Sequence, residues 1–188
     1  MSGATTRRDA LRNAGSVALA ASAAPLVLGV RTAFAATTGD EETMLAAVRL
    51  EQGLVVAYRT LAGASALDPA AVALARHFGD QEQAHLDAVT KQLRMLGGVV
   101  PAQPAPHMVK AGRAAVTDLH TQQALLAFAG TLETSAIAAY YEAQQSLRRA
   151  ELLQTTAAIM ANEGQHLAVL REALHRPPVP NAFETGQP

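Results

Sequence analysis

The sequence predicts an all-α domain, an up-down-down-up bundle of four helices with a long crossover between the second and third. Three observations carry this expectation. First, E-x-x-H occurs twice, as Glu82 with His85 and as Glu163 with His166, and each pair follows a lone glutamate, Glu51 or Glu133. The lone glutamates lie 82 residues apart and the paired ones 81, so the second half of the chain repeats the first almost in register. Second, the 188 residues are 49% hydrophobic but only 4% aromatic, rich in Ala and Leu and without Trp, which suits close-packed helices rather than sheets. Third, Pro101, Pro104, Pro106 and Gly112 fall between the two halves, where such a bundle needs its long connection.

Residues 1–35 read as an export segment, set apart from the fold. Thr6-Arg7-Arg8-Asp9-Ala10-Leu11-Arg12 is a basic start, an apolar run extends from Ala14 to Val30, and Ala33-Phe34-Ala35 offers small residues for a signal peptidase. This resembles a twin-arginine signal peptide, with Ala10 where that pattern usually has Phe. A Sec signal or an uncleaved anchor is the alternative, although Pro25 and Gly29 count against a membrane-spanning helix. The resemblance implies export of a folded chain with cofactor inserted, to the periplasm, the cell envelope or the exterior. Residues 36–176 are then the bundle and 177–188 a Pro-rich, loosely held tail, with Phe183 as its one tether. Cys is absent, which excludes disulfides, thiolate ligands, iron-sulfur clusters and a cysteine nucleophile. The formal charge is -1, and removal of four arginines and one aspartate with residues 1–35 makes the remainder -4, which argues against nucleic acid as a partner.

Each helix is expected from its stripe and its ends. Thr38-Gly39-Asp40-Glu41 reads as a capping box, and the first helix, about 39–62, points Met44, Val48, Glu51, Val55, Tyr58 and Ala62 inward. Glu51 lies within that apolar stripe, where an unpaired carboxylate is expensive. Asp68-Pro69 starts the second helix, about 69–96, with Val72, Ala75, Phe78, Glu82, His85, Val89, Leu93 and Leu96 inward and Gly97-Gly98 as its stop. The connection from Val99 to about Val116 is apolar enough to lie along the bundle rather than act as a free linker. Thr117 or Thr121 caps the third helix, which runs to about Leu147 with Leu119, Gln122, Leu126, Ala129, Glu133, Ile137, Tyr140 and Gln144 inward. No Gly or Pro lies between Leu132 and Gly164, so a break near 146–151 rests on length and on the repeat, and one very long helix is the competing reading. The fourth helix, about 151–174, turns Leu152, Thr156, Ile159, Glu163, His166, Leu170 and Leu174 inward and ends before Pro177-Pro178.

Residues three apart on a helix share a face, so each E-x-x-H pair aims a carboxylate and an imidazole at one point. Two hairpins together supply four carboxylates and two imidazoles to the core, a donor set for two metal ions. Four carboxylates balance two divalent cations, and oxygen-rich donors with one nitrogen per ion suit iron or manganese, with zinc open on affinity. Without metal, the four carboxylates would raise one another's pKa values.

These residues resemble the ferritin-like di-iron carboxylate proteins, namely ferritins, bacterioferritins, rubrerythrins and exported bacterial proteins that carry only this domain. The resemblance spans about 39–175. It implies that Glu51 and Glu133 are the carboxylates of the first and third helices, that Glu82 and Glu163 bridge the metals, and that His85 and His166 each serve one ion. It also implies two iron ions whose electrons pass to oxygen or peroxide, hence an Fe(II) oxidase or a peroxidase-like oxidoreductase with an external electron donor, since no rubredoxin-like Cys motif is present. A non-catalytic metal-binding or stress-related bundle is the alternative. Tyr58 and Tyr140, each seven residues beyond its lone glutamate, are similar to the tyrosines that bond near such sites and donate electrons. Many relatives place Asp before each paired glutamate to support the opposite histidine. Here Gln81 and Asn162 stand there, able to accept from imidazole N–H without adding charge. The residue before each histidine, often Arg in relatives, is Ala84 or Gln165. Gly164 is expected to permit close packing. His77, His107, His120 and His175 fall outside the constellation, His107 being a candidate entrance residue. A homodimer is the default assembly.

Overall fold

The computed structural model describes residues 39–104 and 106–186, with the expected export segment 1–35 and Thr38 outside the described residues. Among the described residues five helices follow in order: α1 (Asp40–Leu61), α2 (Pro69–Met95), α3 (Pro106–Thr117), α4 (Gln122–Ser146) and α5 (Ala150–Ala173). The four long helices match the sequence expectation within one or two residues, and the break before α5 is real, at Leu147–Arg149. α1 packs along α2 and α4 along α5, the two hairpins meet through α1 with α4 and α2 with α5, and α3 lies on α1. No helix among the described residues is long and apolar enough to cross a membrane.

The helix ends show why the chain turns where it does. Asp68 caps α2 by accepting from Ala71 N at 2.8 Å, with Pro69 at the first position. Thr121, rather than Thr117, caps α4 through Ala124 N at 3.2 Å. The expected capping box on α1 does not form: Gly39 occupies the N-cap and offers no side chain, while Thr43 Oγ1 donates to Gly39 O at 2.8 Å. Gln122 and Asp68 exchange hydrogen bonds, tying the starts of α2 and α4 together. Asp40 accepts from Arg148 N at 2.8 Å and pairs with Arg149 at 3.6 Å, tying the start of α1 to the turn before α5.

Two expectations need correction. The crossover contains a helix, α3, whose Gly112, Ala115 and Val116 are buried; the Pro and Gly that mark a loop in sequence here start the helix and sit on its inner side. α1, packed against α2, α3 and α4, buries Leu50, Leu54, Ala57 and Leu61 in addition to its expected stripe. Gln52 Nε2 donates to Pro101 O at 2.8 Å and fixes the start of the crossover on α1. The tail is the second correction. Phe183 is 86% exposed and tethers nothing; instead Arg171 pairs with Glu184 at 2.8 Å. Gly186, at φ +66°, lies so close to α4 that a Cβ would meet Thr134 O at 2.2 Å.

Candidate metal centre

All six sequence-predicted ligand candidates meet in the core. α1 supplies Glu51, α2 Glu82 and His85, α4 Glu133, and α5 Glu163 and His166; the four glutamates are completely buried. They form two groups. Glu51, Glu82, His85 and Glu163 make the first, and Glu82, Glu133, Glu163 and His166 the second, each with one donor atom per residue and all those atoms within 4.8 Å of one another. Glu82 and Glu163 belong to both, so the groups share an edge.

The outer edge of each imidazole is held from the opposite hairpin. His85 Nε2 lies 3.0 Å from Asn162 Oδ1, and His166 Nε2 lies 2.8 Å from Gln81 Oε1. An amide oxygen only accepts, so each Nε2 carries the proton and Nδ1 faces the carboxylates. His85 Nδ1 is 3.2 Å from Glu163 Oε1 and 3.4 Å from Glu82 Oε2. His166 Nδ1 is 3.2 Å from Glu163 Oε2, 3.3 Å from Glu82 Oε1 and 3.5 Å from Glu133 Oε1, yet makes no directed hydrogen bond with any of them.

The lone glutamates are anchored in a crossed pattern. Tyr58 on α1 donates to Glu133 Oε1 on α4, and Tyr140 on α4 donates to Glu51 Oε1 on α1. Each tyrosine therefore serves the glutamate of the other helix, not the one seven residues before it. One oxygen of each lone glutamate is fixed, while Glu51 Oε2 and Glu133 Oε2 have no partner.

Unpartnered atoms concentrate here. Of seven buried side-chain atoms without a hydrogen-bond partner among the described residues, six belong to these glutamates and His166. Such an atom costs roughly 1–3 kcal/mol, more when charged. Burial holds the Glu51 and Glu133 carboxyls well above the usual carboxylate range, and the neighbouring carboxylates Glu82 and Glu163 add to it. Burial works against charged imidazoles, but the close carboxylates of Glu163 and Glu82 outweigh it at His85, raised to about 11, and those of Glu133, Glu163 and Glu82 do so at His166, raised to about 12. Burial would raise Glu163 too, but His166 and His85 draw it down to about 2. Burial first, and then the facing glutamates, push Tyr58 and Tyr140 far up, so both remain phenols. Without metal, imidazolium charge and carboxyl protons offset the charge of the carboxylates. Inward-facing carboxylate oxygens and Nδ1 atoms, six of them without a hydrogen bond, lie in two groups with a shared edge and fit a pair of divalent cations.

Phe78 was expected only as core. Its ring stacks on His166 with centroids 4.0 Å apart and planes at 20°, and Tyr58 meets it edge-on at 5.9 Å. The repeat held the signal: 81 residues on, the corresponding residue is Ile159. Gly164 does not serve close packing, since a Cβ there would meet nothing within 4 Å; Gly79 does, its Cβ position lying 3.3 Å from Tyr58 Cβ. His77, His120 and His175 are exposed and stand apart from the cluster. The side chain of His107 lies outside the described residues.

No curated protein matches the chain in sequence. The crystal structure of a hypothetical protein from Methanococcus jannaschii DSM 2661 superposes with a TM-score of 0.65 at 16% identity, over 79% of this chain and 90% of that one. At that identity the likeness shows an all-α, ferritin-like helical bundle and nothing of activity. Residues 35–176 match the family described as ferritin-like domain. With that match over most of its length, and with the buried glutamate and histidine groups in its core, the chain belongs to the ferritin-like domain family.

Proposed function

We propose that this is an exported di-iron carboxylate protein that oxidises Fe(II) or reduces oxygen or peroxide. The observation that carries the reading is the pair of four-residue groups sharing Glu82 and Glu163, with His166 Nδ1, Glu51 Oε2 and Glu133 Oε2 making no hydrogen bond among the described residues. Glu82 and Glu163 would be shared between the two ions, Glu51 with His85 would complete one set, and Glu133 with His166 the other. Manganese or zinc fits the same donors. When bound, two ferrous ions supply the electrons that an oxidant takes up.

The chain's own residues set the conditions for that chemistry. Gln81 and Asn162 orient the imidazoles and fix the proton on Nε2, leaving Nδ1 for the ion. Tyr140 Oη and Tyr58 Oη each hold a proton against Glu51 or Glu133, where burial keeps it, and stand ready as local donors of a proton and an electron. Burial of all four glutamates excludes bulk water and favours a small oxidant. An external electron donor completes a peroxidase cycle. The up-down-down-up order is supported by the paired starts of α2 and α4 and by the tie from Asp40 to Arg148. Export by the twin-arginine route to the periplasm, envelope or exterior rests on Arg7-Arg8 and the apolar run after them. We take the protein as a homodimer that does not bind nucleic acid.

The test is metal content and absorption of the purified protein, followed by mixing of the anaerobic ferrous form with oxygen or peroxide. Two irons per chain and a ferric absorbance that grows on mixing are expected, with the rate reduced in Tyr58→Phe and Tyr140→Phe. Protein that takes up two irons but leaves them ferrous in oxygen and peroxide is instead a non-catalytic bundle.

A further inference from the structure

The two ion positions differ in their access to solvent. The His85 side chain is 11% exposed and that of His166 only 2%. Outside His85 stand Asn162, half-buried, and exposed Gln165, whose Oε1 accepts from Asn162 Nδ2 at 3.3 Å. Rotation of His85 away from the core gives up the hydrogen bond to Asn162 and the Nδ1 contacts with Glu82 and Glu163, but displaces no ring, and it brings the imidazole into water. His166 has no comparable freedom. Phe78, 3% exposed, lies flat on its ring at 4.0 Å, and Phe78 is itself held by the Tyr58 ring at 5.9 Å. Turning His166 outward requires the Phe78 ring to leave its face, and Phe78 abuts Tyr58. Among the described residues, no Phe or Tyr ring stacks on His85, and the repeat places Ile159 where Phe78 stands in the first hairpin.

We propose that the two positions fill in order, with His85 as the port. A divalent cation exchanges its water for donors at Glu51, Glu82, His85 and Glu163 first, and passes along the shared carboxylates Glu82 and Glu163 to the Glu133 and His166 position. The Phe78 ring closes that second position to direct exchange. This rests on the dinuclear reading above and adds to it a direction of uptake and release. It also assigns Phe78 as the residue that makes the two sides unequal.

Metal-free crystals soaked in Co(II) for increasing times report each position separately through anomalous scattering. The peak beside Glu51 and His85 is expected first. In solution, chelator removes the ions in two phases, the slower at least about tenfold behind the faster, a ratio equivalent to ~1.4 kcal/mol of extra opening cost. Phe78→Ile, which copies the second hairpin, should bring the two phases together, and Ile159→Phe should slow the fast one. Simultaneous filling in the unaltered protein, or first filling beside Glu133 and His166, overturns the port while leaving two bound ions and the dinuclear reading intact. An unchanged lag in Phe78→Ile overturns the role of the ring. Crystals that take up no cobalt at either position overturn both.

Discussion

The α1–α2 and α4–α5 hairpins carry the same donors at the same register and differ in nearly everything around them. Phe78 faces Ile159 across the repeat, Gly79 faces Met160, and Gln81 faces Asn162. In the first hairpin, a surface cleft lined by Arg59, Arg76, Gly79 and Asp80 reaches down to Tyr58. In the second, the counterparts of those four are Tyr141, Ala157, Met160 and Ala161, and Gln144 Nε2 reaches Met160 Sδ at 3.6 Å. The donors repeat because two ions require the same coordination. The surroundings diverge in what covers each imidazole: Phe78 stacks on His166, whose side chain is 2% exposed, while Asn162 and Gln165 stand outside His85, whose side chain is 11% exposed. Symmetry of ligands thus coexists with asymmetry of access.

The largest effect should come from breaking what the hairpins share. Glu163→Ala removes a carboxylate common to both groups and is expected to abolish binding of both ions, whereas Glu51→Ala and Glu133→Ala should each leave one ion per chain by elemental analysis. In metal-free protein Glu163→Ala also removes the nearest carboxylate from both imidazolium charges, leaving Glu82 to face the two of them, and should lower the midpoint of a denaturant melt. Equal loss of both ions in all three variants would show that the groups do not work as two positions.

The next test uses pH. The imidazoles titrate near 11 and 12 in the folded metal-free protein, above their usual value, so their stabilising contribution is complete below that usual value and is lost as pH rises toward 11. Glu163 acts in the other window: held near 2, it contributes above its usual value and loses that contribution as pH falls toward 2. Glu51 and Glu133, held high, also favour the protonated fold as pH falls. Metal-free protein should therefore melt at lower temperature at about pH 8 than at about pH 5, by up to ~1.4 kcal/mol per pH unit for each extra proton the fold retains. Metal reverses the trend, because every ion must displace those protons; affinity should rise roughly tenfold per pH unit for each proton displaced, with release seen calorimetrically in buffers of different ionisation heat.

Gln81 and Asn162 sharpen the comparison at the level of single ligands. Replacing Gln81 by Leu frees His166 Nε2, and replacing Asn162 by Leu frees His85 Nε2. Each should weaken its own ion by about 10–100-fold in a competition with a chelator. Because Phe78 still holds the His166 ring, Gln81→Leu is expected to fall at the lower end of that range and Asn162→Leu at the upper.

The sequence told most where interactions are local. Asp68-Pro69 announces α2 and Thr121 announces α4 because a cap is made within three residues, and the E-x-x-H spacing fixes both donors of a pair on one helix. The support of each histidine from the opposite hairpin by Gln81 and Asn162 was also expected, from the resemblance to ferritin-like proteins that place Asp at those positions. What escaped depends on partners distant in sequence. α3 was hidden because its burial comes from lying on α1, and Gly112 weakens its local signal. Phe183 was the obvious tether by hydrophobicity, yet the tail is held by Glu184 and by the absence of a side chain at Gly186. The crossed tyrosines could not be assigned to their glutamates from spacing, since Tyr58 and Glu133 are 75 residues apart.

The smallest effect tests how each hairpin turns. The first turn is built from its own residues, Gly63, Ser65 and the Asp68 cap. The second, Leu147–Arg149, has no Gly or Pro, and Arg149 at the N-cap makes no side-chain capping bond. Asp40 supplies what that turn lacks, through Arg148 N at 2.8 Å and Arg149 Nε at 3.6 Å. Asp40→Asn keeps an oxygen for the backbone bond and loses the ion pair, worth about 0–1 kcal/mol at an exposed arginine. Asp40→Ala loses both and should cost about 1 kcal/mol more through the backbone bond, seen as a drop of roughly 2–4 °C in melting temperature. Hydrogen exchange should rise at Arg148 and the first turn of α5 in Asp40→Ala while the α1–α2 turn stays unchanged. If both turns loosened together, the hairpins would be one cooperative unit at that end, and Asp40 would be acting on the whole bundle rather than on the turn that lacks a cap of its own.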